Sequence, residues 1–138
     1  MSIAVAMRYA ESMLGIPYIW GGNNPLIGLD CSGFTLEVLR SIGQWDKHDD
    51  TAQGIRNTFS IITRKPISEG TLLFFGKTAG SITHVAIALN DKYMIEAGGG
   101  GSTTLTVEDA KKQNAFVRIR PIANRSDLVD TIPNLGLK

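Results

Sequence analysis

The chain has 138 residues, with 14 lysines and arginines against 13 aspartates and glutamates, a net charge of +1 and 43% hydrophobic residues. That length suits one domain able to bury a core without disulfides or metal staples, and the near-neutral balance leaves no general electrostatic footprint for nucleic acid. No stretch approaches the roughly 20 apolar residues that cross a bilayer. The short apolar N-terminus lacks the basic flank and length of a signal peptide's hydrophobic region, so the sequence predicts a product made in the cytoplasm with no membrane partner.

Ile3, Met7, Ala10 and Leu14 fall at helical spacing before Gly15, predicting a first helix. Tyr18-Ile19-Trp20 reads as a short extended piece, with Trp20 expected in the core, followed by a loop through Gly21, Gly22, Pro25 and Gly28. Phe34, Val38, Leu39 and Ile42 then mark a second amphipathic helix starting at Cys31, with Asp30 or Ser32 near its N-cap and Gly43 at its end. Residues 44–58 are polar, with a short helix expected through 51–56 and the acidic 46–50 stretch expected as a solvated loop.

The period changes in the second half. Segments 71–75, 84–89, 93–97 and 116–120 read as strands, with Asn90-Asp91 turning between the middle two. Gly98 to Gly101 reads as a loop, Val107 to Gln113 as a short helix, and 124–138 as a tail. Helices first and an antiparallel sheet second give an α+β fold.

Cys31 is the sole cysteine. It has no internal disulfide partner, so it is either a small core residue or a nucleophile. Its place at a predicted helix start favours the nucleophile, because unpaired N–H groups and the positive end of the helix dipole favour a thiolate. A cysteine nucleophile needs a base and a group that orients the base. Of the two histidines, His48 sits among charged residues, whereas His84 opens an apolar strand; His84 is the better base.

Glu96 is the strongly polar side chain of the next strand and the candidate orienter. Side chains alternate along a strand, so opposed residues in a hairpin share a face. Placing Glu96 opposite His84 requires an odd loop centred on Asn90, or a bulge that restores the parity. The backbone N–H of Cys31 is the expected oxyanion donor, with Tyr18 a candidate hydroxyl donor in the same pocket.

Four ordered segments carry a family resemblance: Tyr18-Ile19-Trp20-Gly21-Gly22, Asp30-Cys31-Ser32-Gly33-Phe34, Gly70-Thr71-Leu72-Leu73-Phe74-Phe75 and His84-Val85-Ala86-Ile87. Over about residues 3–120 the chain resembles the NlpC/P60 cysteine peptidases. The resemblance implies a papain-like α+β core with N-terminal helices packed on an antiparallel sheet, an NlpC/P60-like catalytic domain over 1–123 and a tail over 124–138. It implies endopeptidase cleavage of peptidoglycan stem peptides through an acyl-enzyme, next to D-glutamate and a diamino acid. Cys31 matches the nucleophile, His84 the base and Glu96 the third polar residue, while Tyr18, Asp30 and Ser32 match positions lining the site; no metal or other cofactor is implied.

The chain departs from the family pattern in three places. Glu96 stands where histidine, asparagine or glutamine is usual, Gly70-Thr71 replaces Gly-Asp, and Asp49-Asp50-Thr51 replaces a segment often carrying arginine. The alternatives are an amidase or acyltransferase of the same fold and a catalytically silent wall-binding module. The missing export signal implies a phage lysin, a virion component or an effector delivered by secretion machinery, acting on the cell wall after lysis or delivery.

Overall fold

The computed structural model describes residues 2–60 and 65–137. Helix α1 spans Ile3–Ser12, capped by Ser2, whose hydroxyl accepts the Val5 N–H, and it buries Ala6, Met7 and Ala10. The chain leaves it through Gly15 at φ +90°, a conformation that favours glycine. The segment from Gly21 to Gly28, expected as a loop, carries a two-residue antiparallel pair, β1 (Asn23–Asn24) and β2 (Gly28–Leu29). Helix α2, Cys31–Ser41, buries Phe34, Leu36, Val38 and Leu39, and α3, Ala52–Thr58, starts at the Thr51 cap.

The sheet comprises β3 (Leu72–Gly76), β4 (Ile82–Ala88), β5 (Tyr93–Gly98), β6 (Phe116–Pro121) and β7 (Leu128–Ile132). Its order is β6-β5-β4-β3-β7, and every neighbouring pair is antiparallel. Helix α4, Val107–Gln113, links β5 to β6 behind a Thr106–Asp109 capping box.

Alternation along the strands divides the core into two layers. Leu72, Phe74, Val85, Ile87 and Ile95 pack under α1 and α2, while Leu73, Phe75, Ala86, Ala88 and Met94 form a second cluster on the opposite face, with Ile67, Ile122 and Leu128. The expected tail departs from the reading of the sequence. Its residues 128–132 pair with β3 and complete the sheet edge, and Leu135 is buried beyond it. The order of layers is the expected α+β arrangement of helices on an antiparallel sheet.

The β4–β5 hairpin has the odd loop that parity demands, centred one residue later than expected. Leu89 N–H donates to Tyr93 O at 2.8 Å, and Ala88 opposes Met94, leaving Asn90, Asp91 and Lys92 in the loop. The Asn90 side-chain oxygen accepts the N–H groups of Lys92 and Tyr93 at 2.8 Å each, an Asx turn that displaces the centre to Asp91. The paired register ends at Ile87 and Ile95; its parity sets Glu96 one step off from His84 but on the same face. A bulge lies further along, where Phe75 pairs with His84 and Gly76 with Ile82, leaving Thr83 unpaired with β3.

Candidate active site

Asp30 fixes the start of α2. Its carboxylate accepts the Gly33 N–H at 2.7 Å and the Ser32 hydroxyl at 3.1 Å, while its own N–H donates to Gly22 O at 3.0 Å. Of the two cap candidates, Asp30 is the N-cap. This approach is close: a Cβ at Gly33 would sit 2.1 Å from Gly22 O, so only glycine lets the helix start rest against the preceding loop. The two glycine-bearing motifs thus hold one another, and Cys31 is presented at the first position of a rigidly seated helix, half-buried.

His84 Nε2 donates to Glu96 Oε1 at 2.8 Å. The diagonal offset between the two residues is bridged by the length of the glutamate side chain. Glu96 is 1% exposed and its second oxygen accepts from Arg118 Nε at 3.0 Å and Arg120 Nη1 at 3.4 Å. The β5–β6 register places Glu96 directly opposite Arg118. Phase along β6 then puts Arg120 on the same face. A buried carboxylate is costly without partners, and this one has three.

The electrostatics follow from those contacts. Burial alone would push the His84 imidazole down, but hydrogen bonding and charge from Cys31 and Glu96 outweigh it and lift its pKa from 6.5 to about 9. Burial would raise Glu96, yet its bonds and charge interactions with His84 and Arg118 hold it down at about 2. At neutral pH, His84 is therefore cationic and Glu96 anionic. With Nε2 engaged by Glu96, Nδ1 is the ring nitrogen left to the thiol.

Two cavities meet at Cys31. The smaller, about 200 Å³, is lined by Cys31, His84, Glu96, the Gly98–Gly101 segment, Arg118 and Arg125. The larger, about 620 Å³, is lined by Cys31, Asp30, Ser32, Asp49, Asp50 and Ile82. Tyr18, Trp20 and Thr83 border both. Tyr18 is buried, and its hydroxyl pKa is raised by burial and then by the charges of Cys31 and Asp30. Asp30 is also raised, by burial acting against its bonds from Gly33 and Ser32.

The structure gathers all six residues singled out from the sequence, Cys31, His84, Glu96, Tyr18, Asp30 and Ser32, around these cavities. His48 is exposed and lines neither. Trp20 corrects the expectation of a core residue. Its N–H is held by Thr104 O at 2.7 Å, just before the turn at Gly21, and the side chain stands 54% exposed at the junction of the cavities. Asp49 and Asp50, expected in a solvated loop, line the larger cavity.

Sequence reasoning missed Arg118, Arg120 and Arg125. The alternation Arg118-Ile119-Arg120 was a visible signal of a polar strand face, but its register against Glu96 depends on the long α4 connection. Among the described residues, no group of three or more His, Cys, Asp or Glu side chains is placed to hold a metal ion. No helix among them is long and apolar enough to cross a membrane.

Comparison with known proteins finds a family match and structural neighbours for this fold. The NlpC/P60 family profile matches residues 15–121. A gamma-D-glutamyl-L-lysine dipeptidyl-peptidase of Bacillus cereus is 37% identical over 89 residues, covering 63% of this chain and 26% of that protein. The bifunctional muramidase/DL-endopeptidase CwlT of Bacillus subtilis is 35% identical over 97 residues, covering 69% of this chain and 29% of its own. Among solved structures, the NlpC/p60 domain of peptidoglycan hydrolase SagA superposes with a TM-score of 0.66 at 29% identity, covering 95% of this chain and 97% of that one. The chain thus spans less than a third of either curated relative.

Proposed function

Because this chain belongs to the NlpC/P60 family, we propose that it is a cysteine peptidase that hydrolyses an amide bond in the stem peptide of bacterial peptidoglycan. The observation that carries the reading is the shared cavity in which the Cys31 thiol meets an imidazole hydrogen-bonded at 2.8 Å to a buried carboxylate. The names of the relatives, a γ-D-glutamyl dipeptidyl-peptidase and a DL-endopeptidase, support a bond next to D-glutamate.

In this mechanism the proton of the Cys31 thiol already rests on His84 before substrate arrives, and the thiolate attacks the amide carbonyl carbon. The resulting oxyanion is met by the backbone N–H of Cys31, freed at the helix start. The C–N bond then breaks as the imidazolium gives its proton to the leaving amine, which departs and leaves a thioester. Water attacks that thioester with its proton taken by His84. The C–S bond breaks, the carboxylic acid leaves, and the thiol is restored. Glu96 orients the imidazole and stabilises its charged form, while Tyr18, Asp30 and Ser32 shape the acyl-side cavity.

The test is digestion of purified peptidoglycan by the wild type and by Cys31→Ala, with fragments identified by mass spectrometry. New amine termini from the wild type and none from the variant are expected. A wild type that releases none would overturn the peptidase reading.

A further inference from the structure

The cavity on the His84 side carries chemistry that hydrolysis alone does not need. We infer that it is a carboxylate-binding subsite, in which Arg118 and Arg125 receive a carboxylate of the first residue of the leaving peptide. The inference rests on the peptidase reading above and adds to it a carboxylate on the leaving half and the groups that receive it.

The direction of the substrate follows from proton transfer. The leaving amine must reach the imidazole, and His84 lines only the smaller cavity. The leaving half therefore occupies that cavity and the acyl half the larger one. Two guanidinium groups stand on the leaving side. Arg118 spends its Nε on Glu96 at 3.0 Å, and among the described residues its Nη1 and Nη2 meet no hydrogen-bond acceptor. Arg125 gives Nε and Nη2 to Asp127 at 2.9 and 2.8 Å and stacks 4.8 Å over the Phe75 ring. Its Nη1 likewise has no acceptor among the described residues.

Both groups are held before any ligand arrives, which lowers the ordering cost of recognition. Their side chains are only 20% and 27% exposed, so a carboxylate reaching them is partly sheltered from water and bonds more strongly than on an open surface. Backbone leaves Arg118 room: a Cβ at Gly98 would lie 3.1 Å from its Nη2, and one at Gly99 would lie 2.9 Å from its Nη1.

The charge pattern points the same way. His84, Arg118, Arg120 and Arg125 set four positive charges against the carboxylates of Glu96 and Asp127, an excess that a Cys31 thiolate offsets only in part. The larger cavity is lined by Asp30, Asp49 and Asp50 with no lysine or arginine. This gradient favours an anionic leaving half. The carboxylate has two possible sources in a diamino acid: the α-carboxylate of a terminal residue, or a second carboxylate on its side chain.

The test compares three soluble substrates sharing one γ-D-isoglutaminyl acyl half, whose α-carboxamide keeps the acyl side free of carboxylate. The leaving residue is lysine carboxamide, free lysine, or diaminopimelate with its α-carboxylate blocked as the amide. The expected result is a kcat/KM about tenfold higher for at least one carboxylate-bearing substrate than for the carboxamide, the size of one charge-assisted hydrogen bond. The faster of the two identifies the source. Arg125→Gln should shrink that preference to about twofold. If the variant fails to fold, the wild-type comparison still decides. Three substrates cut at equal rates, or the carboxamide cut fastest, would overturn the subsite while leaving the peptidase reading intact. No cleavage of any of them would overturn that reading, and the subsite with it.

Discussion

Glu96→Gln removes one charge from a site where it has three partners and leaves the shape almost unchanged. In the wild type, Glu96 accepts from His84 at 2.8 Å, from Arg118 at 3.0 Å and from Arg120 at 3.4 Å. A hydrogen bond to a charged group contributes about 1.5–3 kcal/mol, against about 1 kcal/mol for a neutral one. The exchange therefore costs the imidazolium roughly 1–2 kcal/mol, or about one pKa unit at about 1.4 kcal/mol per unit. His84 stands at about 9, with burial opposing its bonds and charge interactions with Cys31 and Glu96, so weakening the Glu96 contribution lets burial pull it down. The assay is kcat/KM against pH on a soluble stem peptide, which reports groups of the free enzyme. The wild-type profile should fall on its basic limb near pH 9, as the imidazolium is lost. In the variant that limb should move acid-ward by about one unit, with a loss of about 5–30-fold at neutral pH. A basic limb that stays in place would refute the role of the Glu96 charge.

Other consequences follow from the same contacts. Glu96, held at about 2 against 4.5, adds stability that is present above its unfolded value and lost as pH falls toward 2. His84, at about 9 against 6.5, adds stability that is full below 6.5 and lost as pH rises through 9. Thermal midpoints should therefore decline on both flanks in the wild type and less steeply on both in Glu96→Gln. Gly33→Ala drives a Cβ to 2.1 Å from a backbone oxygen and should cost about 2–3 kcal/mol in urea unfolding. Asp30→Ala removes the α2 cap, should cost about 1 kcal/mol by the same measurement, and should lower kcat by loosening the seat of Cys31.

What the sequence made legible was local. The apolar stripe of α2 and the Asp30 carboxylate before it placed Cys31 at a helix start, and strand alternation required the odd loop that puts Glu96 on the face of His84. The loop centre was misplaced because the Asn90 side chain, and not the backbone alone, builds the turn. Strand β7 escaped because a five-residue edge strand containing Asp130 and Thr131 has a weak alternation signal, and its partner β3 is distant in sequence. The arginines around Glu96 escaped for a related reason. Their face depends on the β5–β6 register, which the α4 connection separates from any local turn. Trp20 was misread because aromatic bulk usually means core, whereas here the turn at Gly21 follows it and the ring borders both cavities.

The central claim is that Cys31 is a reactive thiol activated by His84. Its most direct test is the rate of iodoacetamide modification of the native protein near neutral pH, followed by intact mass, for the wild type and His84→Ala. The account predicts rapid single-site modification at Cys31 in the wild type and a markedly slower reaction in the variant. A wild-type thiol that resists the reagent until denaturant is added would contradict it.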